Sequence, residues 1–336
     1  MKKTALFLLA ALTITSFQTK AQWVESGNLK NIVWEYNFSG ATGSVTSSGK
    51  GIERTSTPAS QDFLPKPTSG EVKVIATEEN GSGKAAFTLN NSQGNSSLTM
   101  VHTSGRGFSP APAKFIARNF EAKSKVMSAH FNLTPSNTAE NKQAIWYIIV
   151  GANTNSGVAG TGAPVISAAG GADKGVYTVL RFRKAAVGGK YSLQARYNDG
   201  TQPKADNNYW GWQTISGASL ASDKEAKFDL FCNNTDENQS YTFNGTQKTL
   251  PAKTYHIYID GVQKGAGANE AAKLVRNQGG ADKDIYYTGD LNGFGILSRE
   301  GAHSDVKNAD GTMSYDNSAS LTISNLKIVH LAAPKK

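Results

Sequence analysis

Apolar and polar residues alternate with a period of two along most of this chain. The clearest cases lie late. Tyr255-His256-Ile257-Tyr258-Ile259 runs into Asp260-Gly261, and Gly293-Phe294-Gly295-Ile296-Leu297-Ser298-Arg299 and Leu321-Thr322-Ile323-Ser324-Asn325-Leu326-Lys327-Ile328-Val329 follow. Such alternation marks strands with one buried and one wet face, and Asp-Gly is a strong hairpin turn. The pattern predicts strands near 32–38, 71–76, 84–89, 97–102, 113–120, 125–133, 144–151, 176–183, 190–197, 227–232, 254–259, 293–298 and 320–330. Clusters of Gly, Ser, Asn and Asp separate them, as turns require. No window holds a helical period over three turns, and Leu220 to Phe228 is the only modest helical candidate. Residues 40–70, rich in Gly, Ser, Thr and Pro, read as a long loop, an edge excursion or a boundary. Many short strands with frequent turns predict an all-β sandwich of two antiparallel sheets.

The N-terminus changes the compartment. Lys2 and Lys3 precede an apolar run from Ala5 to Ile14, shorter than the roughly 20 residues that span a bilayer. Thr19-Lys20-Ala21 then offers small residues where signal peptidase reads, so residues 1–21 are expected to be a signal peptide and Gln22 the mature N-terminus. No other segment reaches transmembrane length. The expected destination is the periplasm, the cell surface or the medium. Residues 22–336 are expected to form one sandwich domain, with N-terminal strands and loops over 30–120 and the best-defined core over 125–331. Cys232 is the only cysteine, so no intrachain disulfide forms, and a chain of this length can be stabilised by its core alone. Within Phe228-Asp229-Leu230-Phe231-Cys232 it reads as a small buried residue or a free thiol at a strand end. The formal charge is +9, and removing Lys2, Lys3 and Lys20 with the leader lowers it to +6. A basic surface favours polyanions, which outside the cell include acidic polysaccharides. Scattered lysines with no basic run argue against nucleic acid as a partner.

Strand parity selects the candidate chemistry. In Ser128-Ala129-His130-Phe131-Asn132-Leu133 the polar set is Ser128, His130 and Asn132. Leu180 and Phe182 point inward, leaving Arg181 and Arg183 outward; Gln194 and Arg196 are the outward pair of the next strand. With Tyr255, Ile257 and Ile259 in the core, His256 and Tyr258 face out. Same-face neighbours lie roughly 6.6–7 Å apart, so such an array could cover several sugar rings. In Tyr209-Trp210-Gly211-Trp212, Trp210 is the expected exposed platform for stacking on a sugar.

The alternating Tyr255–Ile259 strand with its Asp-Gly turn and the closing Ser324-Asn325-Leu326-Lys327-Ile328 strand resemble the C-terminal half of concanavalin A-like (laminin-G-like) jelly rolls. The segment Asp62 to Gly70 is similar to a loop leading into secreted jelly-roll proteins of gliding and gut bacteria. The resemblance covers roughly residues 30 to 331 and implies a secreted carbohydrate-handling domain. In jelly-roll lyases such as the alginate-lyase and glucuronan-lyase families, Arg, Gln, His and Tyr line one sheet face. The resemblance therefore implies β-elimination beside a uronic acid, in which Arg, Gln or Asn neutralises the carboxylate and His or Tyr moves the proton. Arg181, Arg183, Gln194 and Arg196 would be clamps, His130 or His256 the base and Tyr258 the acid. The alternative is a non-catalytic glycan-binding or adhesion protein of the cell envelope.

Hydrolysis is disfavoured, because the Glu-x-Asp-x-x-Glu strand of jelly-roll glucanases is absent. The five histidines, 102, 130, 256, 303 and 330, lack metal-ligand spacing. No cofactor is implied, although Asp282, Asp284, Asp290, Asp305, Asp310 and Asp316 in the late loops could hold a structural calcium ion.

Overall fold

The computed structural model describes residues 21–47, 51–76, 84–92, 94–104, 113–137, 144–151, 176–184, 190–197, 211–265, 289–300, 306–307, 313–314 and 317–334. Every pairing between its strands is antiparallel. An eight-stranded sheet runs, in spatial order, β13 (Gly211–Ala221), β12 (Lys190–Tyr197), β11 (Val176–Lys184), β10 (Ala144–Gly151), β19 (Gly293–Glu300), β8 (Ala113–Arg118), β5 (Glu71–Ala76) and β4 (Ile52–Ser56). A nine-stranded sheet runs β18 (Val262–Lys264), β17 (Thr254–Ile259), β14 (Ala226–Asn233), β9 (Val126–Asn137), β22 (Asn317–Ala332), β7 (Asn95–Ser104), β6 (Lys84–Ser92) and β3 (Gly43–Thr46), with β2 (Lys30–Tyr36) also on β22. A third sheet of three short strands joins β1 (Gln22–Trp23), β15 (Gln239–Phe243) and β16 (Thr246–Leu250). β20 (Val306–Lys307) and β21 (Met313–Ser314) pair with each other.

Alternation decides what each sheet buries. Met127, Ala129, Phe131 and Leu133 on β9, and Phe228, Leu230 and Cys232 on β14, share one core with Trp146 and Ile148 on β10, Leu180 and Phe182 on β11 and Leu193 on β12. This core lies between the two large sheets, so residues of the opposite parity face away from it. Phe131 and Phe228 stack at its middle, 5.4 Å apart, with Phe182 edge-on to Phe228 at 5.5 Å. Two turns follow from φ requirements. Asp260 and Gly261 between β17 and β18, and Asn244 and Gly245 between β15 and β16, each have positive φ at both positions, as type I′ hairpins demand.

One expectation is corrected. Leu220 to Phe228 is not helical but the end of β13, a turn and the start of β14, because Leu220, Ala226 and Phe228 all enter the sandwich core. Of the readings of residues 40–70, the edge excursion holds, since β3 and β4 are the outermost strands of their sheets. The three-stranded sheet was not anticipated at all. It lies on the outer side of the nine-stranded sheet, where Trp23, Tyr241, Phe243 and Leu250 meet Val126, Phe231, Tyr258, Val329 and Leu331 in a second apolar cluster.

His330 on β22 illustrates what burial does to a titrating group. It is 1% exposed, lies beside the Phe120 ring, and its Nε2 donates to the Leu291 carbonyl at 2.7 Å. Desolvation lowers its pKa from 6.5 to about 4, against the smaller raising effects of that bond and of Asp290. The depressed value means the unfolded chain takes the proton first. The contribution is complete above pH 6.5 and is lost as pH falls to 4. Thermal melts across this window are expected to show about 3 kcal/mol of acid destabilisation from this residue. The His330→Gln variant should show a correspondingly flatter pH profile, and an unchanged slope would contradict the assignment.

Candidate functional site

The outer face of the eight-stranded sheet carries a polar row that crosses strands in register. Thr214 on β13 faces Gln194 on β12, Gln194 faces Arg181 on β11, and Arg181 faces Tyr147 on β10. The row continues through Leu297 on β19 to Lys114 on β8. At about 4.8 Å per strand, Gln194 to Lys114 spans roughly 19 Å, room for several sugar rings. The Nε of Arg181 donates to Gln194 Oε1 at 2.7 Å, and Gln194 Nε2 donates to Thr214 Oγ1 at 3.3 Å. Beneath and beside the row lies a buried apolar floor of Ile75, Ile116, Ile149, Val179 and Leu297. Tyr147 and Lys114 are themselves only 3% and 1% exposed, whereas Arg181 and Gln194 are half-buried. The middle of this outer face is thus shielded from solvent, and Arg181, Gln194 and Thr214 are the more open members of the row.

Further along the same face, Lys73 forms ion pairs with Glu53 at 2.8 Å and Glu71 at 3.6 Å, and Glu71 also pairs with Arg118. These close contacts compensate charge within β4, β5 and β8.

The nine-stranded sheet presents the other predicted residues, on the opposite side of the sandwich. His130 on β9 sits between Asp229 on β14, with Nδ1 2.7 Å from Oδ1, and Ser128, with Nε2 2.9 Å from Oγ. Ser128 and Asp229 are 0% and 1% exposed, and the Phe231 ring stands edge-on to the imidazole at 5.5 Å. The order Ser–His–Asp has the hydrogen bonding of a nucleophile and its base, but no substrate atom can reach a serine buried in this way. His256 and Tyr258 on β17 meet beneath the small sheet. Tyr258 Oη and His256 Nδ1 each lie 2.7 Å from Tyr241 Oη. The imidazole and the two hydroxyls form one hydrogen-bonded chain, which Tyr258 continues by donating to Gln263 Oε1 at 3.4 Å. Burial, then nearby Lys248, holds the His256 pKa down at about 4, so the neutral form is the native one. Burial raises Tyr258 and Tyr241.

The expected single site is therefore corrected. Arg181 and Gln194 share one outer face; His130, His256 and Tyr258 lie on the other, where His130 links β9 to β14 and His256 and Tyr258 tie the three-stranded sheet to β17. Parity identified which residues leave the core but carried no information on which sheet each strand joins. Arg183 and Arg196 lie on β11 and β12, in register with Ser192 and Trp212; their side chains, and Trp210 altogether, lie outside the described residues. So do Asp282, Asp284, Asp305, Asp310 and Asp316, while Asp290 is half-buried. Among the described residues no cluster of three or more His, Cys, Asp or Glu could hold a metal, and no helix is long and apolar enough to cross a membrane. Cys232 is fully buried and its thiol is pushed well up by desolvation, which makes it an inert core residue. Tyr147 and Lys114 were missed, because Ala144–Gly151 and Ala113–Arg118 are apolar nearly throughout and look buried on both faces. Asp229 was missed for the same reason within Phe228–Cys232.

No protein-family sequence model matches the chain, and no curated protein matches it in sequence. Solved structures do. Endo-β-1,4-glucuronan lyase from Trichoderma reesei aligns over 76% of this chain and 90% of its own, at 11% identity and a TM-score of 0.40. Endo-1,3-β-glucanase from Streptomyces sioyaensis aligns over 93% and 99%, at 10% identity and a TM-score of 0.39. A sialidase aligns over 76% of this chain at 11% identity and a TM-score of 0.36, but the match spans only 16% of the sialidase. These are likenesses of fold. By its sheets and strand order, the chain is an all-β sandwich of two large antiparallel sheets. Within this sandwich the sheltered polar row on β8, β10, β11, β12 and β13 is the candidate site.

Proposed function

We propose that this jelly roll is a secreted, single-domain protein, mature from Gln22, that binds an anionic, uronic-acid-containing polysaccharide along the outer face of its eight-stranded sheet. The observation that carries this reading is Arg181, partly exposed, held at its Nε by Gln194 and standing in register with Tyr147 above an apolar floor. A guanidinium fork matches a carboxylate, and a buried apolar floor holds the strand that carries it rigid. The net charge of +6 on the mature chain favours the encounter and makes it salt-sensitive. Retention on gels containing acidic polysaccharides, compared with a neutral glucan gel, tests the binding; equal migration in all of them would remove the proposal.

A second reading, cleavage by β-elimination, is favoured by the single fact that Arg181, the carboxylate clamp such chemistry needs, is partly exposed on this face. Arg181 would neutralise the uronate carboxylate, which acidifies the adjacent ring proton. A base would take that proton as the bond to the leaving oxygen breaks and a ring double bond forms, and the proton would return to the oxygen. Tyr147 beside Arg181 is only 3% exposed and, like Ser128, is closed to substrate. The unsaturated product absorbs in the ultraviolet. Incubation with a panel of uronate polymers is expected to raise that absorbance with one of them. Arg181→Ala is expected to remove the rise, whereas Tyr147→Phe should leave it within a few-fold. Retention without any rise would identify a non-catalytic glycan-binding protein of the envelope.

A further inference from the structure

Both ends of the Gln194 amide are engaged within the sheet. Its Oε1 accepts from Arg181 and its Nε2 donates to Thr214, so three side chains on three adjacent strands form one line. The strand that supplies Thr214 leaves regular pairing immediately afterwards. Ser192 and Gln194 are two residues apart on β12, yet their partners Ser219 and Thr214 are five apart on β13, so three extra residues bulge out between them. Gly217, with φ +67°, allows the bulge, and Ile215 and Ala218 anchor it in the sandwich core. The Gly265 amide donates to the Ser216 carbonyl at 3.3 Å and secures the same segment from the far end of β18. Bulges of this kind re-aim side chains and recur beside functional sites.

Resting on the binding reading above, we propose that Gln194 is a positioning residue and not a sugar ligand: it fixes the plane of the Arg181 guanidinium, and Thr214, set by the bulge, fixes Gln194. The reason lies in the amide. Without an acceptor at Thr214, a half-turn of the amide places NH2 against the Arg181 Nε–H, donor against donor. A guanidinium held in one plane loses less conformational freedom when it meets a planar anion, so a neutral threonine two strands away from Arg181 sets the affinity for a charged glycan.

The test uses two readouts on the full mature protein. In nitrogen–proton spectra, the Arg181 Nε–H, assigned by its loss in Arg181→Lys, is expected to exchange slowly with water. It should lose that protection in Gln194→Leu and Thr214→Val and keep it in Thr214→Ser. Affinity for polygalacturonate is expected to fall roughly 5–10-fold in Thr214→Val and to return in Thr214→Ser, with the melting temperature unchanged. An Arg181 signal that is unprotected in the wild type, or indifferent to Thr214→Val, overturns the proposal whatever the affinities are. Undiminished affinity in Thr214→Val, beside a lost signal, also overturns it. A signal that behaves as expected in a protein that binds no polyuronate leaves the positioning intact and removes the glycan reading instead.

Discussion

Arg181→Ala is expected to weaken retention on acidic polysaccharide sharply, whereas His256→Ala and Tyr258→Phe leave it unchanged. The contrast follows from the faces. Arg181 stands on β11 over the sheltered row, while His256 and Tyr258 stand on β17 under the three-stranded sheet, with the whole sandwich core between them. A charge-assisted hydrogen bond contributes about 1.5–3 kcal/mol, so losing the clamp should weaken binding by roughly 10–150-fold. The residual binding should also depend less on salt, because a cation has been removed. Tyr258→Phe removes instead the bond to Tyr241 and should lower stability by about 1 kcal/mol with affinity intact. Equal loss of affinity in Arg181→Ala and Tyr258→Phe would mean that glycan reaches both faces, and the division of the site would fall.

How far the sequence discloses this arrangement depends on what kind of information each step needs. Alternation is local, so strand existence and inward parity are legible: Phe131, Leu180 and Ile257 are in the core where period two places them. Sheet membership is not local. Val179-Leu180-Arg181 and Tyr255-His256-Ile257 have the same texture, yet one strand lies in each sheet, and only long-range pairing decides which. Outward parity was equated with exposure, which fails wherever another layer covers a face. A signal for that layer was present. Asn244-Gly245 between Tyr241 and Phe243 on one side and Leu250 on the other is a two-residue hairpin flanked by apolar residues, and β15 and β16 join there. Trp23 gave no comparable signal, since a two-residue strand has no period.

The same covered face carries the largest expected effect on stability. Phe231 is on β14 with parity opposite to the sandwich core, and it is 0% exposed. Its ring stacks on Tyr241 at 3.9 Å and meets Trp23 at 5.5 Å, Phe243 at 5.9 Å and Tyr258 at 6.0 Å, all edge-on. Trp23, Tyr241 and Phe243 belong to the small sheet, so this ring alone touches three of that sheet's aromatic side chains. Truncation to alanine removes buried area and leaves a cavity that β1, at two residues, is too short to collapse into. Phe231→Ala is therefore expected to cost about 3–5 kcal/mol, and Phe231→Leu, which keeps most of the volume, less than about 1.5 kcal/mol. Chemical unfolding followed by circular dichroism gives both numbers. The loss should be accompanied by faster amide exchange in β15 and β16 than in β9, because the small sheet has lost its anchor while the main core keeps Phe131 and Phe228 stacked. A cost below about 1 kcal/mol for Phe231→Ala would show that the small sheet rests on the sandwich without stabilising it, and that the Tyr241, His256 and Tyr258 bonds hold it alone.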